Sequence, residues 1–469
     1  MSSYTISKKL NPNKVFILQK SELEKRFDPQ YYQKEYKNIV NKLKENKHSK
    51  LGEIVKFSKE TWNQKDFFND TFPYIEISEI DTLSGEIQNI SNIELSNAAS
   101  RAKMIVREND IIVSTTRPNR GAIALINKEQ DFSIASTGFC VIRDSAIDKN
   151  YLFAILKQNF ILKQFEQRSS GGNYPAITQE ELSSVIIPIA ENDKQIQIKT
   201  IFQECFKQKK INEEKAEKLL ESIDTYLLNQ LGIVLPEKEE NTLKSRMFTT
   251  SISELSGSRF DPNFNNLNHQ TNITSIKNSK YKVENLKQIT TQIFQGVGRN
   301  IDETSQFKLL KVKNIKRNCE IDYDEIEQIG IFSKDKILQK NDIITPCIGE
   351  AIRQIKFAVF EKDSNLYLVD NNVGVIRPNE RVNSMYLNYC LCNSIGRLQI
   401  NRLIGGGGVP FLGSDNLKKF IVPLPPFEKQ NEIAEHISEI RKQAQDLKDQ
   451  TKLLLEKANK EIEDILLNT

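Results

Sequence analysis

Apolar positions along this chain follow two periods, and the change from one to the other happens twice. Short β-like runs come first: Tyr74-Ile75-Glu76-Ile77, Ile111-Ile112-Val113-Ser114 and Ala122-Ile123-Ala124-Leu125-Ile126. Turn-rich segments separate them, as expected of strands in a mixed sheet. A helical stretch starts near Tyr151 and ends at the turn Ser169-Ser170-Gly171-Gly172, and a Pro-marked strand, Val185-Ile186-Ile187-Pro188, closes the region. The succession then returns with Leu309-Leu310-Lys311-Val312, Ile343-Ile344-Thr345 and Ile355-Lys356-Phe357-Ala358-Val359-Phe360. A helical stretch from Tyr386 to Gly405-Gly406-Gly407-Gly408 and a strand Phe420-Ile421-Val422-Pro423 complete it.

After each closing strand the period lengthens. Ile433, Ile437, Ile440, Ala444, Leu447, Thr451, Leu454, Ala458, Glu461 and Ile465 alternate in steps of four and three, and eight of these ten are apolar. Their counterparts 235 residues earlier are Ile198, Phe202, Cys205, Lys209, Asn212, Ala216, Leu219, Ile223, Tyr226 and Gln230, seven of them apolar. Both sets read as coiled-coil seams, and the nearest partner for each is the other. Gly232 with Pro236 beyond it ends the central helix.

The repetition extends to particular residues. Arg26-Phe27-Asp28-Pro29 returns as Arg259-Phe260-Asp261-Pro262, Asn109-Asp110-Ile111-Ile112 as Asn341-Asp342-Ile343-Ile344, Val141-Ile142-Arg143 as Val375-Ile376-Arg377, and Lys194-Gln195 as Lys429-Gln430, always 232–235 residues apart. A tandem duplication on this scale predicts two similar domains and a pseudo-two-fold object with a two-part target. A two-fold axis requires equivalent helices to run antiparallel. Helices of roughly 35–38 residues extend ~55 Å, longer than one turn of duplex DNA at roughly 34–36 Å.

Composition narrows the class. The chain has 469 residues, 27% charged and 38% hydrophobic, which is a folded multi-domain composition. No apolar run approaches the roughly 20 residues that span a bilayer, and Met1-Ser2-Ser3-Tyr4-Thr5 lacks a signal-peptide core, so a cytoplasmic location is expected. A net charge of +4 is compatible with nucleic-acid binding without arguing strongly for it. The cysteines Cys140, Cys205, Cys319, Cys347, Cys390 and Cys392 lack metal-ligand spacing and read as reduced thiols.

The arrangement resembles the specificity subunit of Type I restriction–modification enzymes. The residues that carry the resemblance are Gly171-Gly172-Asn173-Tyr174-Pro175 with Ile187-Pro188 to Gln195, the later Pro423-Leu424-Pro425-Pro426-Phe427-Glu428-Lys429-Gln430, and the segment Asn109 to Pro118. The first copy departs from the family pattern at Ile189-Ala190, where the second has Leu424-Pro425-Pro426. The resemblance covers essentially the whole chain. It implies an α/β (α+β) fold with target-recognition domains at 1–190 and 236–426 and long antiparallel helices at 191–235 and 427–469. It further implies that each domain reads one half of a split double-stranded DNA site. The helices would set the spacer and dock two methyltransferase subunits, and the complex would recruit the restriction and translocase subunits. S-adenosylmethionine, ATP and Mg are then expected on those partners and no cofactor on this chain.

Motifs for chemistry are missing. The strings Asn11-Pro12-Asn13 and Asp261-Pro262-Asn263 fail the Asn-Pro-Pro-aromatic pattern of an adenine methyltransferase, and no phosphate loop is present. His48, His269 and His436 are the whole histidine complement, too few and too scattered for a triad or zinc site. The chain therefore reads as non-enzymatic. Candidate base readers in the first domain are Arg117, Asn119 and Arg120 in the turn Thr115 to Gly121, with Arg101 and Lys103 secondary. The second domain offers Arg299 and Asn300, Lys313 and Asn314, and Arg353 and Gln354. The turn at Arg117–Arg120 aligns with the dissimilar Ile348-Gly349-Glu350-Ala351-Ile352, which predicts two different half-sites. Arg397 and Arg402 precede the Gly-rich turn, read here as a connector rather than a phosphate cradle. The alternative from another class is a coiled-coil adaptor without specific DNA binding.

Overall fold

The computed structural model describes residues 10–11, 14–23, 26–63, 68–237, 247–249, 261–298, 300–330, 334–405 and 408–467. Arg259 and Phe260, Arg299, and Gly406 and Gly407 therefore lie outside the described residues. Two compact units result, Met1–Glu213 with Lys448–Thr469, and Glu214–Leu447. Each holds one stretch of each long helix, which span Asn192–Leu231 and Phe427–Leu467.

In the first unit one antiparallel sheet runs in the order Val55–Phe57, Phe139–Ser145, Ile111–Ser114, Ile123–Leu125. A second sheet runs Ser91–Glu94, Thr71–Ile75, Ile134–Ser136, Ala102–Ile105, and its central pair is parallel. The strand Ile111–Ser114 reads as an unbroken apolar run because both its faces are covered. Ile111 and Val113 pack among the helices Lys149–Leu156 and Asn159–Arg168, while Ile112 faces the core shared with Ile75 and Ala135. The second unit repeats the first sheet strand for strand: Thr290–Gln295, Val373–Pro378, Ile343–Pro346, Ala358–Val359. Its other sheet has the strands Glu327–Ile329, Phe307–Leu310 and Tyr367–Val369, again with one parallel pair.

The recurring residues hold this frame. Asn109 and Asn341 take the left-handed conformation (φ 65° and 75°) at the turn before the central strand, a conformation Asn tolerates better than most residues. The next residue, buried Asp110 or Asp342, accepts from the backbone N–H of Arg107 or Gln339 at 2.8 Å and from the guanidinium of Arg143 or Arg377 at 2.8 Å. Arg26 donates to Asp28 and Glu181 at 2.8 Å and to the carbonyl of Arg168, tying the first lead to the end of the helix Asn159–Arg168. Gln195 and Gln430 each turn back at the start of a long helix, donating to the carbonyl oxygens of Ala190 (2.7 Å) and Pro425 (2.9 Å). The first copy thus keeps this bond although its Ile189-Ala190 departs from the proline pattern.

Within each unit the two helix stretches run antiparallel. In the first, Asn212 Nδ2 donates to Thr451 Oγ1 at 3.1 Å, while Cys205 packs with Leu455 and Ala458. In the second, the rings of Tyr226 and His436 stack 4.2 Å apart, with Ile223 and Leu227 in one core with Ile433 and Ile437. The seam corrects the heptad expectation at its far end. Leu455, Ile462 and Leu466 are buried where Leu454, Glu461 and Ile465 were expected, and Leu231 replaces Gln230 in the other helix. Ile433, Ala444, Leu455 and Leu466 fall eleven residues apart. An eleven-residue period is 3.67 residues per turn, so the buried stripe drifts off the 3.5-residue register. Lys209 is buried in the seam and paired with Glu213 (2.7 Å) and Glu86.

Among the described residues no helix is long and apolar enough to cross a membrane, and no group of three His, Cys, Asp or Glu side chains is arranged to hold a metal ion.

Candidate nucleic-acid interface

The central strand of the first unit ends at Ser114, and the chain enters the turn Thr115 to Gly121 pinned on both sides. Thr115 donates its N–H (2.7 Å) and hydroxyl (2.9 Å) to the carbonyl of Gly138, and Thr116 bridges Ala176. Arg117 is left-handed at φ 49° and ψ 49°, held there by its N–H donating to the carbonyl of Pro175 at 2.7 Å. Its guanidinium donates to the carbonyl of Asn173 at 2.8 Å and lies 4.4 Å from the centre of the Tyr174 ring. Tyr174 is 70% exposed. The turn Pro118–Arg120 follows, with Pro118 buried, Asn119 half-buried and Arg120 exposed. Behind it, buried Lys157 donates to the carbonyls of Gly121 (2.9 Å) and Thr82 (2.6 Å), and burial pushes its ammonium down to about 7.

The fold thus joins two segments that the sequence presents some 56 residues apart, the basic turn and the Gly-rich loop. Arg117 is oriented without being exhausted: one of its five donors is engaged, its face is stacked, and the rest remain for a ligand. Arg101 is exposed, and its carbonyl accepts from Thr137 N–H at 2.7 Å, beside the Gly138 that holds Thr115. Lys103 is exposed on the following strand, Ala102–Ile105. Sequence reasoning did not assign Tyr174 and Lys157 a part in this site. An aromatic residue between Gly-Gly and Pro was the available signal for Tyr174; nothing local marked Lys157.

In the second unit the equivalent position is Gly349, which donates its N–H to the carbonyl of Pro410 at 2.8 Å and has φ 87°. The backbone clamp is the same and the side chain is gone. A longer turn, Glu350–Gln354, follows, with Arg353 and Gln354 exposed and Arg353 paired with Glu350 at 3.2 Å. Lys313 is exposed and paired with Glu325 at 2.9 Å. Asn300 is exposed and its carbonyl accepts from Gly330 at 3.1 Å; its neighbour Arg299 is outside the described residues. Asn314 does not offer itself to a ligand. It is buried, accepts from Lys311 N–H (2.9 Å) and donates to the carbonyls of Asp322 (2.9 Å) and Asp324 (3.2 Å), so it staples its own loop. Arg397, exposed, donates to Ser394 Oγ at 2.7 Å, and half-buried Arg402 donates to the Phe264 carbonyl at 3.2 Å.

Known proteins align with this arrangement. The family model described as "Type I restriction modification DNA specificity domain" matches residues 43–221 and 270–457. The MjaVIII specificity subunit of Methanocaldococcus jannaschii is 24% identical over 415 residues, covering 84% of this chain and 85% of that protein. The HindI specificity subunit of Haemophilus influenzae is 28% identical over 140 residues, 29% of this chain and 27% of that protein. Among solved structures, the HsdS subunit of Thermoanaerobacter tengcongensis superposes with a TM-score of 0.35 at 20% identity, covering 90% of this chain and 96% of the other.

Proposed function

From the premise that the chain belongs to the Type I restriction modification DNA specificity family, a non-catalytic class of specificity subunit, we propose that it reads a bipartite, asymmetric DNA site. That membership replaces the reading as a protein-only adaptor. Each sheet frame presents one turn to one half-site, and the long helices set the non-specific spacer between them. The same helices dock two methyltransferase subunits, through which restriction subunits join. S-adenosylmethionine, ATP and Mg act on those partners, in the cytoplasm.

The observation that carries the asymmetry is the pair Arg117 and Gly349. The backbone clamp is common to both, N–H to the proline carbonyl at 2.7 and 2.8 Å, while the presented side chain differs completely. A frame kept constant with a variable tip is the economy expected of two readers with different targets. Arg is the commonest side chain for bidentate contact with guanine, at roughly 1–3 kcal/mol of discrimination per good contact.

The decisive substitution is Arg117→Gly, not Arg117→Ala. Glycine accepts the left-handed backbone without strain, so the change removes the side chain and leaves the turn in place. In a methylation assay of the assembled complex, Arg117→Gly relaxes recognition at one half-site by about 10-fold to 100-fold, with the other half-site unchanged. Equal loss at both halves, or no change at either, overturns the assignment.

A further inference from the structure

Cys319, Cys392 and Arg441 meet within the unit Glu214–Leu447, outside the turns described above. Cys319 occupies a left-handed position (φ 61°) in a loop closed by Lys316 N–H donating to the Glu320 carbonyl at 3.0 Å. Arg441, on the helix Phe427–Leu467, donates one terminal nitrogen to the Asn318 carbonyl and the other to Cys319 Sγ at 3.1 Å. Its Nε is buried without a partner, and it makes no ion pair with a carboxylate among the described residues. A half-buried guanidinium that makes no ion pair with a carboxylate is open to another anion, and the thiol of Cys319 is the ionisable group it touches. Cys392 lies within hydrogen-bonding reach of Cys319 and contacts the Phe357 carbonyl at 3.4 Å. Beside it, the fully buried Asn388 has an Nδ2 with no partner. Cys319, Arg441, Tyr389 and Ser438 line a cavity of about 530 Å³, ample for a small oxidant.

The two thiols are unequal. The hydrogen bond from Cys392, aided by the Arg441 charge, holds Cys319 below the ordinary thiol value despite burial. Burial drives Cys392 well above it. One sulfur is therefore suited to attack and the other to resolve.

We propose that Cys319 and Cys392 form a hydroperoxide-reactive dithiol site, with Cys319 as the attacking thiolate, Arg441 as its counter-ion and Cys392 as the resolving thiol. The Cys319 sulfur attacks one peroxide oxygen and the O–O bond breaks. The departing alkoxide or hydroxide takes a proton from solvent, and Cys319 becomes a sulfenic acid. The Cys392 sulfur then attacks Cys319 as the S–O bond breaks, and the departing hydroxide takes the Cys392 proton to leave as water. Two thiols are oxidised to one disulfide and one hydroperoxide is reduced. The bond would fasten the 316–321 loop to the helix Ser384–Cys392.

The test uses the full chain and hydrogen peroxide, followed by alkylation in denaturant and non-reducing peptide mass spectrometry. The expected product joins Cys319 to Cys392, while Cys140, Cys205, Cys347 and Cys390 remain alkylated. With Cys392→Ser the sulfenic acid on Cys319 persists and is captured by dimedone. With Arg441→Gln the oxidation of Cys319 slows, because the guanidinium that favours its thiolate is gone. A linkage through Cys390, or no linkage, overturns the proposal. So does a second measurement needing no variant: alkylation of Cys319 in the native chain at mildly acidic pH must outpace that of the same cysteine in the unfolded chain, and a slower rate sinks the thiolate.

Discussion

Lys157 is a charged residue buried among apolar helix neighbours. It stands where the second copy has Cys392, 235 positions later, and its amine donates to the Gly121 carbonyl that ends the Arg117 turn and to the carbonyl of Thr82. Burial lowers it from the ordinary 10.5 to about 7. Between those values the unfolded chain binds a proton that the folded chain has released, so this group's contribution to stability rises with pH across the window. Lys157→Met removes that slope. Unfolding by urea at about pH 7 and about pH 9 should show the native chain gaining on the variant with rising pH. A constant difference would mean that the amine is solvated. Little of this was legible, because a lone lysine among apolar helix residues does not announce which carbonyls it will meet. Asn314 illustrates the converse. Its type and its basic neighbours suggested a base contact, but the loop that consumes it arrives from Asp322 and Asp324. Arg117 was legible as a turn residue; its stacking on Tyr174 was not, since that contact is made across 57 residues.

At the level of elements, periodicity located both long helices and two strands of the first sheet, Ile111–Ser114 and Ile123–Leu125, because apolar runs bounded by turn residues leave little choice. The seam's phase was less legible. Heptad and eleven-residue patterns coincide over Ile433, Ile437, Ile440 and Ala444 and part only further on, where Leu454 and Leu455 are both apolar. The buried set decides for the longer period. The proposed ruler should accordingly be lengthened in steps of eleven. Eleven residues placed after Glu214 and again after Asp449, equivalent positions in the two helices, keep the stripe in phase and add about 16 Å, close to five base pairs. Methylation mapped across sites of graded spacing should shift its preferred spacer by that amount, and an unmoved optimum would end the ruler reading.

Across the whole molecule, the duplication read from the sequence returns as two units with their own cores and matching ion pairs. The regular offset made the plan visible; the reason for the recurring Asp and Arg became visible only when Asp110 met Arg143 and Asp342 met Arg377. Asp342 is 1% exposed, and its loss strands Arg377 in a largely buried site. Asp342→Ala should cost about 3 kcal/mol. Hydrogen exchange should then lose protection across 283–423 while 48–188 stays protected, whereas uniform loss would mean that the units do not stand alone. The match between the copies is broken at the buried amide of Asn212, which finds the hydroxyl of Thr451. The residues 235 positions from this pair are Leu447 and Ala216. Two identical first halves, brought together in the same register, would each confront that amide with an alanine methyl, stranding it twice at roughly 1–3 kcal/mol apiece. The gene cannot be shortened to a single copy of its first half without incurring that penalty, so the lock distinguishes a chain's own second half from a stranger's first.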